Sequence, residues 1–429
     1  MLQILPFFSA PLQRAYERQY STIIRARTRD ITVRWMKKLP PELSEVEWTL
    51  VKELIQKPGH VYMLGMLHRD LPEYSWVLDE YDPDKVAKLA ERMAPKSSYL
   101  SNRDTLFLEE PGGVRVRLRG TASGADLDRL PTGTIVAIKG HFWPAEDVLV
   151  VSGVWTPRPL PNPLVNDSNS LQGPLRVLFL SGLNMSGHPT EEERQALFSV
   201  LQYLHDPETP VNLLVVAGGL WILEDNDARR HFDSFMNHAA KHTQVLLIPG
   251  ENDATNLLWP QDPLRTFHLS HTRTEHVVKR MGIKAEETDA SDVNVCLVSN
   301  PAAFDFAGTS FLGTSGFNVK SILQTTKGLT PLEAMEGMLH WQHLCPTAPT
   351  YLPVAPTERK CENETRSVDP FVLEFTPHVF FCGGQEKVEA RVFSYHDTSC
   401  LLLCIPEFSK TRQGLLFDMR TEAVECLGW

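Results

Sequence analysis

Four glycine-rich or polar runs in the second half of the chain each follow an apolar segment typical of a buried strand. They are Ser181-Gly182-Leu183-Asn184, Gly218-Gly219, Pro249-Gly250-Glu251-Asn252-Asp253 and Gly383-Gly384-Gln385-Glu386. Ligands of an open α/β sheet bind beyond the carboxyl ends of its strands, so the runs predict one shared site. Two metal ions about 3.5–4 Å apart could hydrolyse a phosphodiester there, but only with clustered carboxylate and imidazole donors.

The first two runs resemble metal-binding loops of calcineurin-like metallophosphoesterases from which the ligands are missing. That family has Asp-x-His after its first strand, and Gly182 and Asn184 stand at those two positions here. After the second strand the family has Gly-Asp, whose Asp bridges both metals, and Gly219 stands in its place. Because glycine has no side-chain donor, the resemblance implies that both loops have lost their ligands.

The other two runs depart from the family in the same way. Its Pro-Gly-Asn-His-Asp becomes Pro-Gly-Glu-Asn-Asp, with Glu251 and Asn252 at the Asn and His positions. Gly384 and Glu386 replace the two histidines of its Gly-His-x-His. Losing even an outer partner of a ligand commonly costs about 10–100-fold in metal affinity or activity, and here the ligands themselves are missing. We therefore predict an inactivated centre with no catalytic residue, no metal and no cofactor.

Other polar residues near these runs do not indicate a second centre. Asp253 is interpreted as a cap or turn residue, since Asp favours such positions. The run EDND, from Glu224 to Asp227, is interpreted as a solvated loop before a helix, and His188 precedes a proline in another loop. A mononuclear site is an alternative that the sequence does not support.

Composition limits the class of protein. The chain has 429 residues, 42% apolar and 22% charged, which is ordinary for a globular protein of two or three domains. A net charge of −11 argues against a surface that wraps nucleic acid everywhere, although a local basic patch is compatible with it. No window reaches the ~18 apolar residues of a membrane span. The seven cysteines form no CxxC pair, which predicts buried thiols in a reducing compartment.

A proline-rich joint divides the chain, and residues 157–172 are predicted to be a linker. Before it, residues 1–40 form a helical segment, whose arginines favour an amphipathic helix with a solvated basic face over a transit peptide. Residues 41–156 are predicted to be an OB-type β-barrel, because several strands and a short helix at residues 83–93 occur within about a hundred residues. In one strand Val114, Val116 and Leu118 alternate with arginines.

Residues 173–429 alternate between strands and helices, which predicts an α/β fold like the β-sandwich of metallophosphoesterases with flanking helices. Residues 176–180 are almost continuously apolar, as in a strand buried on both faces. Thr190 and the three glutamates after it predict a capped helix. Asn318 is expected to cap a later helix. The segment 347–369 is rich in proline and charge and is predicted to be a surface loop.

Three further segments carry a more specific resemblance. FLGTSGFNVKSIL (residues 311–323), HLCPTAP (343–349) and DPFVLEFTPHVFFCGG (369–384) are similar, in this order, to the small (B) subunit of eukaryotic DNA polymerase delta. This resemblance implies an OB domain packed on an inactive phosphodiesterase domain. It also implies a nuclear scaffold that bridges the C-terminal metal-binding domain of the catalytic subunit and a third regulatory subunit. DNA and the sliding clamp are contacted only through the holoenzyme.

Two alternatives belong to other classes of protein. One is an active metal-dependent phosphodiesterase or nuclease with unusual ligands. The other is a single-stranded nucleic-acid binder that uses Arg115, Arg117 and Arg119 of the barrel, although the alternation favours a solvated strand face for these arginines. If the chain is a scaffold, exposed aromatic residues such as Trp143 or Trp221 are candidate anchors for a partner.

Overall fold

The computed structural model describes residues 2–4, 12–57, 59–74, 96–120, 127–164, 173–223, 225–266, 269, 274–276, 294–360 and 365–429. The helix predicted at residues 83–93 and the candidate Glu224 lie outside these residues. Within them, the structure contains no helix with the length and apolar character needed to cross a membrane.

The strands are, in chain order, β1 (Leu2–Ile4), β2 (Leu12–Arg14), β3 (Gly59–Asp70), β4 (Thr105–Glu109), β5 (Arg115–Gly120), β6 (Ile135–Trp143), β7 (Val148–Trp155), β8 (Arg176–Leu180), β9 (Leu213–Ala217), β10 (Gln244–Ile248), β11 (Thr274–His276), β12 (Val295–Leu297), β13 (Ala302–Phe306), β14 (Thr309–Thr314), β15 (Thr357–Lys360), β16 (Thr365–Val368), β17 (Val379–Gln385), β18 (Glu389–Tyr395), β19 (Thr398–Pro406), β20 (Gln413–Asp418) and β21 (Ala423–Gly428). The helices are α1 (Ser21–Met36), α2 (Glu191–His205), α3 (Asn226–Ala239), α4 (Phe317–Thr325), α5 (Pro331–Trp341) and α6 (Phe408–Thr411).

Strands β3 to β7 close into a barrel in the order β3-β4-β5-β7-β6, with β5 and β7 parallel. This five-stranded arrangement is that of an OB fold, as predicted. Along β5 the arginines face solvent, whereas Val116 and Leu118 are buried in the barrel core. The prediction for Val114 was wrong: it precedes the strand and is 50% exposed.

The second half of the chain forms two packed sheets. One has the order β11-β12-β10-β9-β8-β20-β21 and the other β1-β13-β14-β17-β19-β18. Alternate residues of β8, β9 and β10 point into the core between the sheets, and the others pack beneath α2 and α3. Because both faces are covered, these strands are apolar except for their first residues in β8 and β10, Arg176 and Gln244. Helices α4 and α5 cover the other sheet, which gives the predicted sandwich with flanking helices.

Thr190 begins α2 with the capping box that the sequence predicts, since its hydroxyl accepts from the Glu193 amide. The prediction for Asn318 was wrong. Gly316 precedes α4 with a left-handed φ of 102°, and Asn318 is buried within the helix. Its amide donates to the Leu344 carbonyl at 3.0 Å, so this side chain joins two segments and does not cap the helix.

The described parts of the segment 347–369, residues 347–360 and 365–369, do not form a surface loop. The central residues Leu352, Val354 and Ala355 are fully buried. After them, β15 pairs with β16 on one side and with β2 from the N-terminal segment on the other. The prediction failed because proline and charge usually mark solvated loops, whereas here the charged residues pair with the N-terminal segment, as Arg18 does with Glu358 at 2.8 Å.

Candidate functional site

The glycines of the four runs meet at the ends of β8, β9, β10 and β17, and we call Gly182, Gly218, Gly219, Gly250 and Gly384 the strand-end centre. The Gly182 amide donates to the Gly218 carbonyl at 2.8 Å, and the Gly218 amide donates to the Ile248 carbonyl at 2.8 Å. The Gly384 amide donates to the Ser181 hydroxyl at 2.8 Å. The ends of three parallel strands of one sheet and of β17 in the facing sheet therefore bring the predicted positions to one place.

Backbone fills the space where ligand side chains would begin. A Cβ atom added to Gly219 would lie 2.8 Å from the Gly182 Cα and 2.9 Å from the Asn184 Oδ1. One added to Gly250 would lie 2.9 Å from the Gly218 Cα. Gly182, Gly218, Gly219 and Gly384 also have φ between 60° and 75°, a conformation that residues with side chains rarely adopt. The loops are thus closed by glycine backbone against glycine backbone.

Asn184 is held away from any open position. Its side-chain amide donates to the Glu407 Oε1 at 2.8 Å and to the Ser409 hydroxyl at 3.1 Å. The Ser409 amide in turn donates to the Gly182 carbonyl at 2.9 Å. Glu407 and Ser409 come from the far end of the chain, so no sequence spacing could have assigned them to this site.

Asp253 is the buried carboxylate of the strand-end centre. It accepts backbone N–H groups from Gly219 at 2.9 Å, Leu220 at 2.7 Å and Gly250 at 2.6 Å. Burial raises the pKa of Asp253 to about 6, and these three hydrogen bonds oppose the shift. The carboxylate thus joins two of the loops, and its oxygens are occupied by amides.

The remaining predicted positions lie on the surface. Glu251 pairs with Lys320 at 3.3 Å, and both Asn252 and Glu386 are exposed. Among the described residues, no group of three or more His, Cys, Asp or Glu side chains is arranged to hold a metal ion. The equivalence of these positions to lost ligands stays a prediction.

The loop residues considered as a second site are used elsewhere. Asp225 caps α3, where its side chain accepts from the Asp227 and Ala228 amides. It also accepts from the Gly187 amide at 2.7 Å, which joins the loops after β8 and β9. Asp227 pairs with Arg230 on the same helix, and His188 is exposed.

On the barrel, the three arginines of β5 are exposed but differ in their neighbours. Arg115 lies over the Phe107 ring at 4.4 Å, and Arg119 pairs with Glu146 at 2.6 Å. Arg117 stands opposite Phe107 in the neighbouring strand. Of the two candidate anchors, Trp143 is 49% exposed, whereas Trp221 is 4% exposed and packs against Phe232, so the interpretation of Trp221 as an exposed anchor was wrong.

Three buried polar side chains elsewhere in the molecule are linked by hydrogen bonds. They are Arg27, His343 and Asp369, and we call them the buried cluster. The Arg27 Nε donates to the Asp369 Oδ2 at 2.8 Å, and the other guanidinium nitrogens donate to carbonyls of residues 346 and 348. A longer contact of 3.4 Å reaches the Gly133 carbonyl of the barrel. The buried cluster therefore joins α1 and the barrel to the two-sheet half of the chain, and the expected solvated basic face of α1 is wrong for Arg27.

Hydrogen bonds fix the tautomer of His343, and burial and neighbouring charges set the charge states of the buried cluster. The Cys345 amide donates to His343 Nδ1, so Nε2 carries the proton and donates to Asp369 at 2.9 Å. Burial and then Arg27 lower the pKa of His343 to about 4, which leaves the ring neutral at pH 7. Burial alone would raise the pKa of Asp369, but His343 and Arg27 outweigh it and hold that pKa well below its ordinary value.

Two family models match the chain. One describes the B subunit of DNA polymerases alpha and epsilon and matches residues 177–390. The other describes the OB-fold domain of a DNA polymerase delta subunit and matches residues 19–152, which include most of the barrel. The two matches fall on the two architectural halves that the structure presents.

Individual relatives match along most of the length. A probable DNA polymerase delta small subunit of Caenorhabditis elegans is 25% identical over 94% of this chain and 91% of its own. The DNA polymerase delta small subunit of Arabidopsis thaliana is 26% identical over 87% of this chain and 82% of its own. A solved archaeal phosphodiesterase covers 59% of this chain at 8% identity, with 99% of its own chain covered and a TM-score of 0.27, which is too low to support the fold assignment.

The match to the OB-fold domain agrees with the barrel that precedes the two packed sheets. The chain belongs to the small (B) subunit family of eukaryotic DNA polymerase delta.

Proposed function

We propose that this chain is a non-catalytic scaffold subunit of DNA polymerase delta in DNA replication and repair. It would bridge the C-terminal metal-binding domain of the catalytic subunit and a third regulatory subunit. DNA and the sliding clamp would then be reached only through the holoenzyme, in the nucleus. The division into residues 1–40, 41–156, 157–172 and 173–429 is part of this proposal. The assignment to DNA polymerase delta is supported by relatives named as its small subunit, which match along most of the chain.

The observation that carries the proposal is the closure of the strand-end centre. A bridging carboxylate at position 219 would have to start from a Cβ that lies 2.8 Å from the Gly182 Cα, where there is no room for it. The nearest carboxylate, Asp253, already accepts three backbone amides. A fold that keeps its strands while its site is closed is useful for its surfaces.

Partner recovery tests the proposal directly. The chain would be tagged at its chromosomal locus, purified from nuclear extract and quantified together with its partners by mass spectrometry. We expect the polymerase catalytic subunit and a further regulatory subunit in near-equimolar amounts. Recovery of the chain without a polymerase catalytic subunit would contradict the proposal.

A metal assay tests the absence of catalysis. The purified chain would be incubated with Mn²⁺ or Zn²⁺ and bis(4-nitrophenyl) phosphate, beside an active metallophosphoesterase as positive control. We expect no metal-dependent hydrolysis and less than one equivalent of metal after dialysis. Two bound metal equivalents together with turnover would establish an active phosphodiesterase instead.

A further inference from the structure

A cleft of about 510 Å³ lies between α1 and the hairpin of β15 and β16. Five cationic side chains line this basic cleft: Arg29, Arg34, Lys37, Arg359 and Arg366. The chain as a whole carries a net charge of −11, so a concentration of positive charge at one place is unusual for it. Such a concentration attracts anionic groups and raises their local concentration.

Two of these arginines are held against each other by the hairpin. Arg359 of β15 stands directly opposite Arg366 of β16 in the antiparallel register. Like charges directly opposite each other destabilise a pair of strands. Arg366 is partly compensated by Asp30, to which it donates at 2.9 Å. An anion between the two strands would relieve the repulsion.

Arg359 lacks such compensation. Its Nε is buried and has no hydrogen-bond partner, and within the described residues its guanidinium forms no ion pair. A buried donor left without a partner is unfavourable. At the mouth of the cleft Lys37 is exposed and likewise has no carboxylate partner among the residues that the structure describes. Lys37 is therefore available to an incoming carboxylate, and the half-buried Arg359 adds a positive charge that no carboxylate among the described residues compensates.

The rest of the lining favours a peptide over a nucleic acid. Aliphatic groups of Val33, Val368 and Val372 line the cleft, and no aromatic ring does so among the described residues. Single-stranded nucleic acid is usually bound by aromatic rings on which its bases stack. A peptide can place aliphatic side chains on the valines and carboxylates on the arginines.

We propose that the basic cleft binds an acidic segment of another polymerase subunit, with carboxylates on Arg359, Arg366 and Lys37 and aliphatic side chains on the valines. The inference rests on the proposed function, since it takes the partner from the same assembly. Asp369 borders the cleft and also belongs to the buried cluster, so the cleft lies beside the joint between α1 and the two-sheet half of the chain.

A defined peptide tests the chemistry without any other subunit. The probe is a short fluorescein-labelled peptide of alternating Glu and Val, and its binding to the full chain is followed by fluorescence anisotropy. The double variant Arg359→Gln and Arg366→Gln keeps polarity and approximate size. The matched control is Arg194→Gln with Arg230→Gln, two exposed helical arginines that each pair with a carboxylate three residues earlier. Circular dichroism verifies the fold of both proteins.

We expect the cleft variant to bind the peptide at least tenfold more weakly than the wild type, and the control to change by less than twofold. Affinity of the wild type should also fall as salt rises. No binding by the wild type, or equal losses in both variants, overturns the inference. Tighter binding of labelled oligo(dT) than of the peptide, lost in the cleft variant, overturns it in favour of a nucleic-acid site.

Recovery from cells separates this inference from the proposed function. The wild type and the control should recover the polymerase subunits, whereas the cleft variant should lose at least one of them as salt is raised. If the wild type recovers no polymerase subunit, the proposed function fails. If all three proteins recover the same subunits at every salt concentration, the inference alone fails.

Discussion

The strand-end centre and the buried cluster are both tightly packed, but they are built from opposite materials. At the strand ends, glycine backbone contacts glycine backbone, and the single buried carboxylate accepts only amides. In the buried cluster, a fully buried arginine, aspartate and histidine depend on one another for charge compensation. At the strand ends, added atoms crowd the backbone and the free energy of folding worsens gradually. In the buried cluster, a charge that loses its partner becomes strongly unfavourable at once.

The comparison predicts its largest effect at Arg27. Replacing it with Met leaves Asp369 buried without a cation and leaves two carbonyls without donors. We expect the free energy of unfolding to fall by about 3–5 kcal/mol, the range for breaking one partner of a buried ion pair. Urea unfolding followed by circular dichroism measures this change.

Arg25 provides the control for Arg27, because it lies on the same helix but faces solvent. Arg25→Met should change the free energy of unfolding by no more than about 0.5 kcal/mol, as for most surface substitutions. Similar losses in the two variants would mean that α1 needs its arginines for some reason other than the buried cluster.

A smaller effect is expected at the strand-end centre, where Gly219 and Gly384 form a matched pair. Their φ angles are 63° and 64°, so Ala is strained equally at both positions. At Gly219 the new Cβ would lie 2.8 Å from the Gly182 Cα, which requires a backbone shift, whereas at Gly384 the nearest atom is the Ser315 carbonyl oxygen at 3.1 Å. We expect losses of about 2–4 kcal/mol for Gly219→Ala and about 1 kcal/mol for Gly384→Ala, from strain plus overpacking.

Unfolding midpoints in urea measure both glycine variants. Equal losses would show that φ alone matters and that the strand-end centre has room for a side chain. The same result would weaken the proposal that a metal ligand at position 219 is excluded by packing.

The two regions also differ in how much of each the sequence could predict. The strand-end centre was predictable because each apolar run ends at glycine. Parallel strands also end at the same edge of a sheet, whatever the number of residues that separates them in the sequence. The closing partners Glu407 and Ser409 were not, since they join Asn184 across more than two hundred residues. Periodicity locates strands, but it carries no information about which distant side chain completes a loop.

The buried cluster could not be found from local patterns at all. Arg27 lies among several arginines on one helix, and only the packing against residues 346–369 distinguishes it from Arg25 and Arg29. The segment that holds Asp369 resembles a solvated loop in composition, which is why it was predicted as one. Its burial depends on β2, a strand of three residues that is too short to show periodicity.

The smallest effect concerns pH and again separates the two regions. The His343 pKa is lowered to about 4 in the folded protein, from an ordinary value of 6.5. Between these values the unfolded chain binds a proton that the folded protein refuses, so the cluster's contribution is complete above pH 6.5 and is lost as pH falls towards 4. We expect about 1–2 kcal/mol more acid destabilisation in the wild type than in His343→Gln, measured by urea unfolding at pH 7, 5.5 and 4.5.

Asp253 acts in the opposite direction: its raised pKa of about 6 makes the strand-end centre relatively more stable as pH falls. Asp253→Asn should therefore steepen the acid loss, and identical pH profiles for all three proteins would show that neither group is linked to folding.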